Sequence, residues 1–385
     1  MTVPENQSPE FKINSEADSV FLGILDSCNP ETMFMHKRES SPVALNIHFQ
    51  KNLTPDYPQL LAREMSMYSH RCGKRHAVKT WLRGTPLNEL GSGDITEIAF
   101  LMANYFHMDE GPYNEYGFEC TIAEINEDNL SLMKGLRFTT LLLNIDVSTP
   151  PESTTLPSAI ALIQQYKFHE IHFRLHARKS TRSTLYHWLG YLSKHQPVLI
   201  EISELEKGPH VKVRLDEMTD LMAKQGYVLL GDRFFVTEEH PLVRLKRQGT
   251  LQYTPPWGAS HPDIKDWVGL GIGAMGKIGQ TFYQNLRKES DYVNDLTLGK
   301  LPICCSGQHP NKESQHAWTM IQQLICLHRI SLQQNFLSSH SLHKIKKSLE
   351  KACKSGWMGN QGKDFVLKRK GLNHLRDICH DLQQC

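Results

Sequence analysis

The strongest constraint on the fold is a two-period rhythm that begins near residue 43. Short apolar runs rich in β-formers, at 43–48, 77–82, 116–122, 138–146, 170–176 and 198–203, alternate with amphipathic stretches at 58–68, 95–106, 127–136, 156–166, 182–194 and 216–225. A seventh strand is expected over 227–236. One strand and one helix in each repeat of roughly 25–40 residues is what successive right-handed βα units require, so the chain reads as α/β with a parallel sheet curved into a full or partial barrel. In such sheets ligands sit at the C-terminal ends of the strands. That rule singles out Gln50, Arg83 to Thr85, Glu119, Asn144 to Asp146 and His172 to His176.

Four segments follow from texture. Residues 1–40 form an acidic N-terminal tail, with six acids against Lys12 alone in the first 35 residues. Residues 41–240 carry the βα rhythm and form the partial barrel. Residues 241–300 form a connecting segment, packed on the barrel and built around Val268-Gly-Leu-Gly-Ile-Gly-Ala-Met-Gly-Lys-Ile-Gly279. Its glycines would each cost a helix about 1 kcal/mol relative to alanine, so an irregular, close-packed backbone is expected there. Residues 301–385 form a mainly helical, winged-helix-like domain: helical spacing over 313–327 and 342–353, a hairpin around Asn360-Gln-Gly362, and a closing helix from Lys370 to Leu382.

Charge follows the same division. The total of 43 basic and 41 acidic residues gives +2, yet residues 341–376 hold ten Lys or Arg against Glu350 and Asp364, leaving the remainder near −6. A basic module of this kind can make phosphate contacts. With no arginine or aromatic ladder beside the lysines, a solvated surface is the expectation, and nucleic acid is not among the expected partners. The nine cysteines form no CxxC cluster, so a reduced, cytoplasmic protein without disulfides is expected. No apolar run approaches a membrane span, and no secretory h-region opens the chain.

The glycine segment, its Tyr283-Gln284-Asn285 ending, and the approach through Gly231-Asp-Arg-Phe-Phe235, Leu245-Lys-Arg-Gln-Gly249 and Gln252-Tyr-Thr254 resemble the oxygen-independent coproporphyrinogen III oxidases and haem-chaperone relatives of the radical S-adenosylmethionine (SAM) superfamily. The final helix, from Leu367 through Cys379, is similar as well. The resemblance implies a partial barrel with a [4Fe-4S] cluster on a three-cysteine loop after the first strand. Here Gln50 stands where the first cysteine would be, and Lys51-Asn-Leu-Thr-Pro-Asp-Tyr-Pro58 holds none. No cluster and no metal site are therefore expected.

Of the SAM cradle that the resemblance implies, Gly84, Thr85, Glu119, Gly271 and Gly273 are retained as a vestige, whereas Asp146 replaces a glutamine and His172 an aspartate. SAM and haem are the ligands to consider. For haem, His172 and His176 share one face of a strand as candidate axial ligands, with Arg174 and Arg178 for propionates. At about 3.3 Å per residue the two rings stand roughly 13 Å apart and do not share one ion.

The expectation is a degenerate coproporphyrinogen oxidase-like protein with no catalytic residues. It would bind a tetrapyrrole, haem or a protein partner of porphyrin metabolism, as a binding or regulatory protein. The competing reading keeps the oxidative decarboxylation of coproporphyrinogen III on unusual cluster ligands. A third makes the chain a nucleic-acid-binding regulator.

Overall fold

The computed structural model describes residues 25–34, 41–108, 111, 114–177, 180–203, 214–255, 257–332 and 338–384. Most of the acidic tail, and Arg178, lie outside the described residues. The strands are β1 (Val43–His48), β2 (Ala77–Arg83), β3 (Glu115–Thr121), β4 (Thr140–Asp146), β5 (Glu170–His176), β6 (Leu199–Ser203), β7 (Tyr227–Leu230), β8 (Phe234–Thr237), β9 (Gln252–Thr254), β10 (Gly258–Ser260), β11 (Asp266–Leu270), β12 (Met275–Ile278), β13 (Thr281–Asn285), β14 (Ile303–Gln308), β15 (Arg329–Ser331), β16 (Met358–Gln361) and β17 (Asp364–Leu367). The helices are α1 (Tyr57–Cys72), α2 (Ser92–Phe106), α3 (Glu127–Gly135), α4 (Leu156–Gln165), α5 (Arg182–Ser193), α6 (Leu215–Ala223), α7 (Pro241–Gln248), α8 (Glu289–Thr297), α9 (Lys312–Leu327), α10 (Ser339–Lys354) and α11 (Leu375–Gln383). Two compact units result, residues 28–176 with 263–307 and residues 177–262 with 308–384.

The first unit is built on a parallel sheet in the order β11-β1-β2-β3-β4-β5. Consecutive apolar residues such as Leu141, Leu142 and Leu143 are all buried, as expected where both faces of a parallel sheet are covered. Strand β11, contributed from far along the chain, adds in parallel beside β1, and β12, β13 and β14 continue antiparallel from it. The glycine segment thus lies in two regular strands, β11 and β12, with the turn 271–274 between them, rather than in a wholly irregular backbone. Glycine serves close approach there: a Cβ on Gly269 would lie 2.1 Å from the Met275 carbonyl oxygen. At the other end of these strands, buried Arg75 donates to Asp266 at 2.8 Å and to the carbonyls of Ser41 and Pro42, pinning β11 to the entry of β1.

Helix α1 carries one polar residue into the interior of this unit. Glu64 is fully buried among Leu60, Leu61, Met65 and Tyr68. Its carboxyl accepts from the Gly271 N–H at 2.8 Å, the Tyr292 hydroxyl at 2.7 Å and Asn285 Nδ2 at 2.6 Å. Asn285 also donates to the Gly271 carbonyl, so Glu64 fastens the turn after β11 to β13 and α8.

In the second unit, the single parallel strand expected over 227–236 is instead the hairpin β7–β8, and β8 also pairs antiparallel with β6. Gly231, at φ +67°, starts the turn. Buried Asp232 then accepts from Arg376 at 2.9 Å, and Arg233 donates to the Tyr253 hydroxyl at 3.0 Å. A core of Leu230, Phe234, Ile321, Leu324, Ile345, Leu349, Phe365 and Ile378 packs α9, α10 and α11 with the three-stranded sheet β15-β17-β16. The expected helices and hairpin are present, and β15 is an additional strand.

Candidate functional site

The C-terminal edge of the parallel sheet is polar because alternate residues of neighbouring strands face the same way. On β2 these are Lys79, Trp81 and Arg83; on β3, Glu115, Gly117 and Glu119; on β5, His172, Arg174 and His176. The side chains form steps from the N-terminal to the C-terminal end of the strands. At the first, Glu115 accepts from Lys79 Nζ at 2.7 Å and Trp81 Nε1 at 2.6 Å. At the next, the Trp81 ring stacks on His172, with centroids 5.9 Å apart, and Gly117 leaves room for the indole, which a Cβ would approach to 2.6 Å. His172 Nε2 is 2.8 Å from Glu170 Oε2.

Glu119 forms the centre of the third step. Its Oε1 accepts from Arg83 Nε and Arg174 Nη1, each at 2.9 Å, and its Oε2 accepts from the Gly84 N–H at 3.1 Å. Burial alone would raise this carboxyl, but the Arg174 and Arg83 charges and the Gly84 amide outweigh it and hold the pKa down to about 2. Arg174 also reaches Asn144 Oδ1 at 3.4 Å, and His176 Nε2 lies 3.1 Å from the same oxygen. His48 ends β1 with Nδ1 3.0 Å from the Ile272 carbonyl. Burial lowers its pKa, and the Arg83 and Arg287 charges act in the same direction against the Ile272 hydrogen bond and the Glu119 charge. Exposed Arg287 rests its stem 3.4 Å from where a Gly273 Cβ would stand.

The glycines expected to cradle SAM face their own chain. Gly84 has φ +93°, and a Cβ there would lie 2.2 Å from the Phe49 carbonyl oxygen. A Cβ on Gly271 would meet the His48 carbonyl oxygen at 2.4 Å and Tyr57 Oη at 2.5 Å. Gly273 faces Arg287 and Gln50, and Thr85 precedes the one-turn helix Pro86–Glu89 without a side-chain cap. Thus Gly84 and Glu119 are in direct contact, whereas Gly271 packs on β1 and α1. His172 and His176 stand on one face in separate steps. Gly84→Ala is expected to destabilise the protein by about 2–4 kcal/mol, from the positive φ and the backbone clash together, measurable as a lowered urea midpoint.

The β1–α1 connection does not offer the ligands of the implied cluster. The β1–α1 connection, residues 49–56, offers no thiol or imidazole and is tied down along its length. Phe49 N–H donates to the Arg83 carbonyl at 2.9 Å, Asn52 N–H to Glu89 at 2.7 Å and Thr54 N–H to Glu289 at 3.2 Å. Cys72, at the end of α1, is pushed up to about 12 by burial, so its thiol is not a ready thiolate. Among the described residues no three His, Cys, Asp or Glu side chains are grouped so as to hold a metal ion. Glu119, which the resemblance implies in SAM binding, accepts from Arg83 and Arg174 here.

The pairing of Arg83 and Arg174 through Glu119 is the part of the site that sequence reasoning misses. Strand alternation places all three on one face, but the register that brings them together is a property of the folded sheet.

The mostly parallel α/β sheet with its polar cluster at the strand ends has a close counterpart in a solved radical SAM structure. The E. coli coproporphyrinogen III oxidase, described as a radical SAM enzyme, superposes with a TM-score of 0.78 at 18% identity, covering 91% of this chain and 92% of that one. The oxygen-independent coproporphyrinogen III oxidase of Pseudomonas aeruginosa is 22% identical over 396 aligned positions, spanning 91% of this chain and 85% of the relative. No family model matches the sequence. Over most of its length the chain is thus similar to oxygen-independent coproporphyrinogen III oxidases. No helix among the described residues is long and apolar enough to cross a membrane.

Proposed function

We propose that this chain is a coproporphyrinogen oxidase-like protein that has lost the iron–sulfur cluster and radical chemistry, and that binds a tetrapyrrole at the strand ends instead of oxidising it. The observation that carries the reading is the Arg83–Glu119–Arg174 clamp beside a cysteine-free β1–α1 connection. Both features oppose SAM and cluster binding by the same residues. The guanidiniums of Arg83, Arg174 and Arg287 stand at the strand ends together with the carboxylates of Glu119 and Asp146. Guanidiniums suit a ligand with several carboxylates, and a porphyrin with propionate arms has that chemistry. For haem, His172 and His176 are the axial candidates, and each would have to exchange a contact: His172 Nε2 with Glu170 and His176 Nε2 with Asn144.

Two measurements test the proposal. After anaerobic reconstitution with iron and sulfide, the protein is expected to show no iron–sulfur absorbance and no SAM cleavage. Stoichiometric cluster binding with SAM cleavage would return the protein to the enzymes. Titration with coproporphyrin III or haem is expected to shift the Soret band saturably, with affinity weakened about tenfold by Arg287→Ala, the loss of one charge-assisted contact. An unshifted Soret band would remove the tetrapyrrole.

A further inference from the structure

The geometry points to a second binding surface, independent of the strand-end site: the outer face of α10 is a docking surface for the phosphate backbone of a nucleic acid duplex. Topology supplies the first observation. Within the second unit the chain runs α9, β15, α10, β16, β17, and the strands pair in the order β15-β17-β16. Helix α10 passes through only Ser355, Gly356 and Trp357 into the two-stranded wing, and the earlier strand closes the sheet on the wing's return strand. Among the described residues this matches the helix–strand–helix–wing part of a winged-helix order, with one helix between β15 and the wing. In that arrangement the helix leading into the wing is the one presented to a duplex groove, with its outward side chains meeting phosphates and base edges.

The composition of that face is the second observation. At 3.6 residues per turn, Ile345, Leu349 and Ala352 share one side of α10, and all three are buried. On the opposite side His340, His343, Lys344, Lys347, Lys351 and Lys354 fall within about 100° of one another. The four lysines are exposed and span about 15 Å of helix axis.

Acidic groups near the stripe offer little compensation. Lys351 meets Asp381 at 3.0 Å, a surface pair worth less than about 1 kcal/mol and readily exchanged for a phosphate. Glu313, near the start of the helix, accepts from the Ser338 N–H and Ser341 hydroxyl, and Glu350 flanks the stripe. The wing turn adds exposed Lys363. Any amphipathic helix turns its polar residues outward; what distinguishes α10 is that those residues are lysines and histidines, with Glu350 as the one acid in the helix. The lysine stripe replaces the expectation of a passive basic module with a specific one: backbone contacts, little sequence preference and strong salt dependence.

Fluorescence anisotropy with labelled 30-base-pair DNA and RNA duplexes of mixed sequence, using the full chain, tests this inference. Neutralising about four phosphates predicts that log K falls with log salt at a slope of about −3 to −4. Combined replacement of Lys344, Lys347, Lys351 and Lys354 by Gln is expected to weaken binding at least tenfold at low salt and flatten that slope. A control with the same charge change elsewhere, replacing Lys224, Lys265, Lys288 and Lys300 by Gln, should bind like the parent protein. Retention of either duplex with this pattern supports the proposal, and the tighter duplex identifies the polymer. Equal losses in the two quadruple variants, no retention at low salt, or tighter binding to phosphatidylserine vesicles than to either duplex would each overturn it.

Discussion

Replacing Glu119 by glutamine is expected to destabilise the protein by about 3 kcal/mol at pH 7, because two largely buried guanidiniums then share a neutral amide where they had a carboxylate. The pH dependence makes the test specific. Glu119 sits at about 2 in the folded chain against an ordinary value of 4.5, so its contribution is complete above pH 4.5 and disappears as pH falls toward 2. A shift of this size corresponds to about 3 kcal/mol. Urea unfolding of the parent and the Glu119→Gln variant should therefore differ most at neutral pH and converge in acid. If the gap stayed constant from pH 5 to pH 3, the carboxylate would not be held as described. The same variant bears on ligand binding, since the strand ends gain net positive charge without losing an arginine. Anionic porphyrin binding should survive or tighten while stability falls, a separation that a purely structural role for Arg83 and Arg174 would not produce.

Much of this arrangement is legible in the sequence. The five βα strands of the first unit lie within two residues of their expected bounds, because uninterrupted runs such as Leu141 to Leu143 are stable only where a sheet is covered on both faces. The hairpin at 227–237 is not legible. Its apolar character continues from Tyr227 to Val236, and only Gly231 and the burial of Asp232 against Arg376, 144 positions away, turn the chain back. The glycine segment shows a related limit. Its composition excludes a helix, but the close approach of Gly269 to Met275 is visible only once β11 and β12 have paired. At the site, Gly84 and Glu119 are found through resemblance. That their partners are Arg83 and Arg174 depends on the alignment of β2, β3 and β5 across the sheet.

Glu64 provides the second large effect, with the opposite sign. Burial pushes its carboxyl up to about 7, and the Tyr292, Gly271 and Asn285 donors only partly offset this. A group raised from 4.5 to about 7 contributes fully below pH 4.5, and that contribution is lost as pH rises through 7, amounting to about 3 kcal/mol by pH 8. The Glu64→Gln variant lacks the titration, so its stability relative to the parent should rise by about that amount between pH 4.5 and pH 8. The slope is the diagnostic quantity. A glutamine amide facing Asn285 Nδ2 at the 2.6 Å now occupied by a carboxylate oxygen sets two donors against each other, which adds a pH-independent penalty but no slope. Asn285 Oδ1 has no hydrogen-bond partner, so rotating that amide relieves the conflict at the expense of its bond to the Gly271 carbonyl. Glu119 and Glu64 therefore titrate in adjoining windows with opposite consequences, and the parent protein should be most stable near pH 4.5–5 as far as these two groups decide it. Each glutamine variant should abolish one limb of that profile and leave the other intact. Loss of both limbs in either variant would mean that the two carboxyls are coupled, contrary to their separate hydrogen-bond networks.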